Sequence, residues 1–463
     1  MLGHPTVRSR TTARRPCRWL VVSMTLCVLI GATTSAIAQK IFPYETHVET
    51  LDNGLKTMLI PMNSGGLVAY WTIVRTGARD EYEPGHTGFA HFFEHMMFRG
   101  SEKYPREVRE KLVTEMGADA NAFTSDDLTA YYLNIASEDL EQVIELESDR
   151  FKNLKYPEAE FKTEAGAVYG EYRKNRMNPF FRVYEAVHQE AFDVHTYGHT
   201  AMGYVEDIKA MPEMFEYSQS FFSRYYRPEN VVVVVIGDID VGRTRKNLQE
   251  HYGDWARGYT PPQVPVEPKQ TKEKRIDVPY EGQSLPIVWI SYKMDAFDPN
   301  NLELMSADVF AQLAFGETSD IHKKLVLEEQ VVEFIQGEVN MNRDPGLMDI
   351  IARVKEPQRV DYVVQEIDRT IAHFKENLPD AQRLADLKSN VRYDFLMGLD
   401  TPMNVARRLY RVIAVTGGIE AVDHMYRSYD KVSAQDVQNA ARKYFVDEQR
   451  TIAILRPGEG GES

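Results

Sequence analysis

Four prolines fall within the eleven residues Gly258-Tyr259-Thr260-Pro261-Pro262-Gln263-Val264-Pro265-Val266-Glu267-Pro268, and a charged run, 269–275, follows. No regular helix survives that spacing, because each proline lacks an N–H and its ring obstructs the preceding turn. The stretch reads as a stiff, extended linker. It divides a chain of 463 residues, more than one hydrophobic core usually serves. On both sides the elements come in the same order: strands, then helices, then a last helix leading into a strand. Ser223-Arg224-Tyr225-Tyr226 precedes the β-branched run 231–236, and Ala441-Arg442-Lys443-Tyr444 precedes the run 451–455. The weak internal similarity predicts two α+β lobes of related fold.

Within the first lobe, 55–60 and 68–74 read as strands, rich in β-branched and aromatic residues. Residues 138–154 read as a helix with Leu140, Val143, Ile144, Leu146 and Phe151 as its apolar stripe. A second helix covers 158–177 and stops near Pro179, and the segment 120–133 ends in a strand.

Chemistry concentrates in His91-Phe92-Phe93-Glu94-His95. Positions i, i+3 and i+4 of a helix share a face, so His91, Glu94 and His95 look the same way. Two neutral imidazoles at that spacing suit Zn²⁺, and a neighbouring carboxylate not needed as a ligand can take a proton from water on the metal. The remaining residues of 88–98 are apolar or small. A helix so apolar is buried, and ionisable groups buried there need partners or a metal. A catalytic zinc takes a third protein ligand and keeps one position open. Glu164 and Glu171 lie seven apart on the helix of 158–177 and point the same way. One could bind the metal while the other orients a ligand from behind, and spacing alone does not choose between them.

The first 18 residues carry Arg8, Arg10, Arg14, Arg15 and Arg18 and no acid; an apolar run follows from Trp19, then Ala36-Ile37-Ala38. That pattern predicts a secretory signal peptide, 1–38, cut after Ala38, and hence a periplasmic or secreted protein. The alternative is an uncleaved anchor, but the apolar run is shorter than the ~20 residues a span prefers. Both cysteines, Cys17 and Cys27, fall in this segment, leaving no thiol for a disulfide or a metal. Removing the five arginines leaves 49 basic against 69 acidic residues, a net charge of −20. So acidic a surface argues against nucleic acid or an anionic membrane as partner.

Taken with Leu51-Asp52-Asn53-Gly54-Leu55, Gly77-Ala78-Arg79-Asp80-Glu81, Asn121-Ala122-Phe123-Thr124-Ser125, Tyr131-Tyr132 and Tyr226-Arg227-Pro228-Glu229-Asn230, the H-x-x-E-H motif makes the chain resemble the pitrilysin family of zinc metallopeptidases. Insulin-degrading enzyme and mitochondrial processing peptidase belong to that family. The resemblance implies an α+β fold of two related α/β lobes, each a mainly antiparallel sheet with helices on one side, facing each other across a cleft. It implies an N-terminal zinc-binding lobe over 42–258, a linker over 259–275 and a C-terminal lobe over 276–458 without a zinc motif. Glu171 lies 76 residues past His95 and seven past Glu164, the family's spacing. By resemblance, then, Glu171 is the third zinc ligand beside His91 and His95, Glu94 the general base, and Glu164 the carboxylate behind a ligand. The N-A-x-T stretch of relatives is an edge strand on which the peptide substrate lays itself, which assigns substrate binding to Asn121 and Ala122.

Active relatives also grip the substrate with an Arg and, seven residues later, a Tyr. Here Tyr292 stands near the start of the second lobe, but position 285 is Leu. The resemblance then implies a homo- or heterodimer in which a related subunit supplies the pair. The competing reading is a non-catalytic assembly subunit, although such members typically degrade the zinc motif. His188, His195 and His199 form a looser group around Asp193, Tyr197 and Gly198, where a second metal site is the weaker reading.

Overall fold

The computed structural model describes residues 40–457; the expected signal segment, with Cys17 and Cys27, lies outside the described residues. The first sheet is built from β1 (His47–Thr50), β2 (Lys56–Pro61), β3 (Leu67–Val74), β4 (Asp119–Thr124), β5 (Thr129–Ala136) and β6 (Val231–Gly237), in the order β1-β2-β6-β3-β5-β4. The second comprises β7 (Lys274–Tyr280), β8 (Ile287–Lys293), β9 (Val332–Val339), β10 (Leu347–Val354) and β11 (Arg450–Pro457), in the order β7-β11-β8-β10-β9. Setting β1 aside, the two orders coincide. Each sheet also has one parallel pair, β2 with β6 and β7 with β11, while all other neighbours run antiparallel. The expected two related α+β lobes are therefore present, and neither sheet closes into a barrel.

The five valines that open β6 explain its position. A strand apolar on both faces belongs in a sheet interior covered on both sides, and every residue of β6 is buried. On one face, Tyr70, Tyr131, Val233 and Val235 pack on the lobe's own helices. The other face carries Met58, Ile60, Trp71, Val232 and Val234, and the second lobe covers it with its helix Pro402–Thr416. Tyr410 of that helix stacks on Trp71 at 5.7 Å.

Helices of the first lobe include α1 (Phe89–Met96), α2 (Arg106–Glu115), α3 (Leu140–Asn153), α4 (Glu158–Asn175) and α5 (Pro179–Ala191). The exchange between lobes is reciprocal, since α5 lays Val183 and Val187 on Ile287, Trp289 and Leu455 of the second sheet. Pro179 does not merely stop α4. It is the first residue of α5, where a missing N–H costs nothing, and Asn178 caps that helix by accepting the Phe180 N–H at 2.9 Å. The segment 120–133 holds two strands rather than one, because the turn after Thr124 closes a hairpin between β4 and β5. β4 ends as the outermost strand of its sheet.

Candidate metal centre

The start of α1 is an unusual helix terminus. Gly88 stands at φ +89°, and a side chain there would bring its Cβ to 2.8 Å from the Met202 carbonyl oxygen, so only glycine fits. The first N–H groups of the helix are satisfied from elsewhere. The buried Glu81 carboxylate accepts from Gly88 N–H at 2.7 Å and from Ala90 N–H at 2.6 Å, where the helix dipole favours an acid. Burial pushes Glu81 up to about 8, against these two donors. Arg79, two residues earlier, donates to Asp344 of the second lobe at 2.7 Å. The second lobe thus bears on the segment that anchors α1.

Along α1, Phe89, Phe92, Phe93 and Met96 enter the core and leave His91, Glu94 and His95 to converge with α4. His95 Nε2 lies 3.3 Å from His91 Nε2 and 3.3 Å from Glu171 Oε2, and His91 Nε2 lies 3.8 Å from the same oxygen. Ligands bound tetrahedrally at about 2.0–2.1 Å sit roughly 3.3 Å apart, so two edges of this triangle have the length a zinc ion imposes and the third is slightly open. Among the described residues, this trio is the group of three or more histidine, cysteine or acidic side chains disposed to hold a metal.

The protonation states of His91 and Glu164 suit that role. Burial, with His95 adding to it, pulls His91 down to about 3, so its imidazole stays neutral. Burial also works to lower His95, but the Glu164 carboxylate, accepting from Nδ1 at 2.9 Å, raises it overall. That hydrogen bond places the His95 proton on Nδ1 and turns the Nε2 lone pair toward Glu171. Glu164 is itself held down to about 2: burial opposes its charge, and the donors His95 and Arg99 outweigh it. Converging acceptors of this kind, in a partly buried setting, are what a cation stabilises.

Glu94 lines the same shallow pocket as His95, Phe98, Arg99, Arg106 and Glu164. Burial raises its pKa, while the Thr124 hydroxyl, donating to Oε2 at 2.7 Å, resists the shift. Asn121 and Ala122 lie on the outer strand β4, and the Asn121 side chain accepts the Ala122 N–H at 2.8 Å. Tyr292 is 1% exposed and packs on Phe445 at 5.0 Å, an interior position from which it meets no substrate. The three looser histidines serve separate ends. His188 donates from Nδ1 to the Tyr197 carbonyl, His195 pairs with Asp344, and His199 contacts the Thr200 carbonyl.

Sequence reasoning missed three supporting residues. Glu81 and Thr124 stood in the quoted motifs without a role, and Arg99 lay just past the helix. Each acts through a fold contact that spacing does not reveal.

The insulinase (peptidase family M16) model matches residues 58–204, and the peptidase M16 inactive domain model matches 216–391. The zinc protease PqqE of Helicobacter pylori is 27% identical over 447 residues, 95% of this chain and 98% of that protein. The beta subunit of mitochondrial-processing peptidase from Caenorhabditis elegans is 23% identical over 427 residues, 90% and 91% of the two chains. The crystal structure of a protease from Helicobacter pylori superposes with a TM-score of 0.84 at 24% identity, covering 89% of this chain and 100% of that one. Lobes, order of elements and relatives agree: this chain belongs to the insulinase family of metallopeptidases, peptidase family M16.

Proposed function

We propose that this chain is a zinc-dependent endopeptidase with His91, His95 and Glu171 as metal ligands and Glu94 as general base. The observation that carries the proposal is the triangle of ligand atoms, with edges of 3.3, 3.3 and 3.8 Å, set on the face of α1 that also carries Glu94. Bound there, Zn²⁺ would supply Lewis acidity, polarising a peptide carbonyl and acidifying a bound water toward a pKa of about 7.

Glu94 takes the proton of the attacking water on its carboxylate and passes it to the departing amine. Its raised proton affinity helps it keep the proton between the two transfers. Thr124 fixes the orientation of that carboxylate, and Glu164 fixes the ring of His95. The peptide lies along β4 as an added strand, held through main-chain hydrogen bonds at Asn121 and Ala122. In docking, it takes over the Ala122 N–H from the Asn121 side chain. Burial of Tyr292 and the leucine at 285 support a related second subunit as the source of the substrate-gripping Arg and Tyr. The subunit name of the processing-peptidase relative supports the same reading. The Arg-rich, apolar N-terminal sequence supports export, and no helix among the described residues is long and apolar enough to cross a membrane.

The test measures zinc content and cleavage of a quenched fluorescent peptide together, on the chain alone and on the complex recovered from its native compartment. Wild type should hold one zinc and lose activity to a chelator, and His91→Ala should lose metal and activity at once. A His91→Ala variant holding stoichiometric zinc would overturn the ligand set. Full activity of the lone chain would overturn the need for a partner.

A further inference from the structure

Away from the metal centre, a cavity of about 190 Å³ lies where the lobes meet, and it shares no lining residue with the pocket beside Glu94. Its walls come from both lobes: His188 of α5, Asp126 from the turn between β4 and β5, Trp289, Glu338 and Asp349 from the second sheet, and Arg411 from the helix Pro402–Thr416. We propose that this cavity binds a small zwitterion, an α-amino acid or dipeptide bearing a primary ammonium and a carboxylate.

His188 supplies the first observation. It is 5% exposed, and its Nδ1 faces the Tyr197 carbonyl oxygen at 2.8 Å. A carbonyl only accepts, so Nδ1 carries a proton, and in the neutral ring Nε2 is left with a lone pair. That buried Nε2 has no hydrogen-bond partner. A buried acceptor without a donor is costly, and a ligand N–H would satisfy it.

The charges supply the second. Among the described residues, the Arg411 guanidinium and the Glu338 carboxylate form no ion pair or hydrogen bond, although both line this one cavity. The Asp126 carboxylate makes only a 3.5 Å contact with Asn342 Nδ2. Asp349 is already satisfied, accepting from the Trp289 indole, the Ser291 hydroxyl and the Asn340 amide. Opposite charges in one partly buried cavity attract strongly when they touch. Here they stand apart across open space, with carboxylates and an imidazole lone pair as acceptors and a guanidinium as donor.

A ligand with one cationic and one anionic end answers both sets. Its ammonium meets Asp126, Glu338 and His188 Nε2, and its carboxylate meets Arg411 in the forked geometry that guanidinium favours. A metal ion fits less well, because these ligand atoms do not gather into a metal-type group among the described residues and Arg411 would repel it.

Isothermal titration of the full chain with glycylglycine, after chelator treatment to silence the metal centre, tests the proposal. The expected result is saturable one-to-one binding, at least ten times tighter than ethylamine or acetate, each of which carries one charge only. Arg411→Gln and Glu338→Gln, at half-buried and exposed positions, should each weaken it at least tenfold while thermal unfolding stays that of wild type. No saturable heat overturns the proposal, as does binding unaltered by Arg411→Gln or ethylamine binding as tightly as glycylglycine. Chelator treatment keeps the outcome separate from the peptidase reading, which stands or falls on metal-dependent cleavage.

Discussion

Two helices occupy the same place in the repeated architecture and have opposite characters. α1 follows β3 and leans on the edge strand β4; the helix Leu302–Phe315 follows β8 and leans on the edge strand β9. The second-lobe helix buries ten side chains, of which only Ser306 is polar, and its ends are conventional, with Asn301 accepting two N–H groups at the start. α1 is shorter, begins at a glycine in the left-handed region, borrows its cap from Glu81 and turns His91, Glu94 and His95 toward α4. The lesson is that the fold supplies a slot and the sequence decides its use. A slot filled with apolar side chains contributes core stability, whereas one holding ionisable groups needs a partner for each of them.

The sharpest way to break this contrast lies in the first slot. Glu94→Gln keeps the shape and the Thr124 contact but removes the base, so turnover should fall by about 10³-fold, within the range for a general base, while zinc is retained. Steady-state cleavage and metal analysis on the same preparation check it; near-normal hydrolysis would remove Glu94 from the mechanism. The complementary change lies in the second slot. Phe310 is fully buried and packs on Phe315, Phe374 and Phe445, so Phe310→Ala should cost about 3–5 kcal/mol in urea unfolding. Zinc binding by the folded fraction should not change. A cost below about 1 kcal/mol would mean that the second-lobe helix is not a core element.

Much of this contrast is legible in the sequence, through different signals. The zinc-type motif is local, with three residues on one helical face, and the related lobes show in the order of elements around the proline-rich stretch. The central strand shows in five consecutive valines, 231–235. What sequence cannot carry is contact between distant segments. Glu81 capping α1, Thr124 steadying Glu94 and the exchange of α5 for the helix Pro402–Thr416 each join residues that no periodicity relates. The sequence pattern also read Pro179 as a stop. It opens the next helix, because a proline's effect depends on which side of it the helix lies. Between Glu164 and Glu171 the spacing was silent. In the fold the two carboxylates separate, with Glu164 on His95 Nδ1 and Glu171 on the Nε2 side.

The hairpin turns of the two lobes also meet, and their junction should respond to pH. Asp127, in the turn between β4 and β5, accepts from the Tyr197 hydroxyl, the Asn342 amide and the Arg343 N–H. Burial first, and then neighbouring Asp126, raise it to about 6, above the ordinary value near 3.9. The folded chain therefore keeps a proton that the unfolded chain releases at lower pH. This contribution to stability is fully present below about pH 4 and is lost as pH rises through about 6, and is worth on the order of 2–3 kcal/mol. Asp127→Asn should be less stable overall, since its amide N–H₂ must face donors. Its stability should also lack the wild-type decline between those pH values. Urea unfolding across pH 4–7 measures the difference in slope, and parallel curves would show that Asp127 does not titrate there.

The smallest expected effect falls on Glu164 and separates the two glutamates of α4. Glu171 is assigned to the metal itself, so Glu171→Gln should strip zinc as His91→Ala does. Glu164 acts through His95, holding its ring and leaving Nε2 as the bare nitrogen. Glu164→Gln keeps an oxygen to accept the Nδ1 proton but loses the charge that Arg99 pairs with, so zinc affinity should fall by about 10–100-fold with the ligands intact. Because the ion pair also ties Arg99 to α4, a small loss of stability in the metal-free chain is expected and is measured separately by unfolding in chelator. Competition with a chromophoric chelator gives the affinity. Equal losses from Glu164→Gln and Glu171→Gln would reverse or merge the two assignments. An affinity untouched by Glu164→Gln would reduce that carboxylate to a structural partner of Arg99.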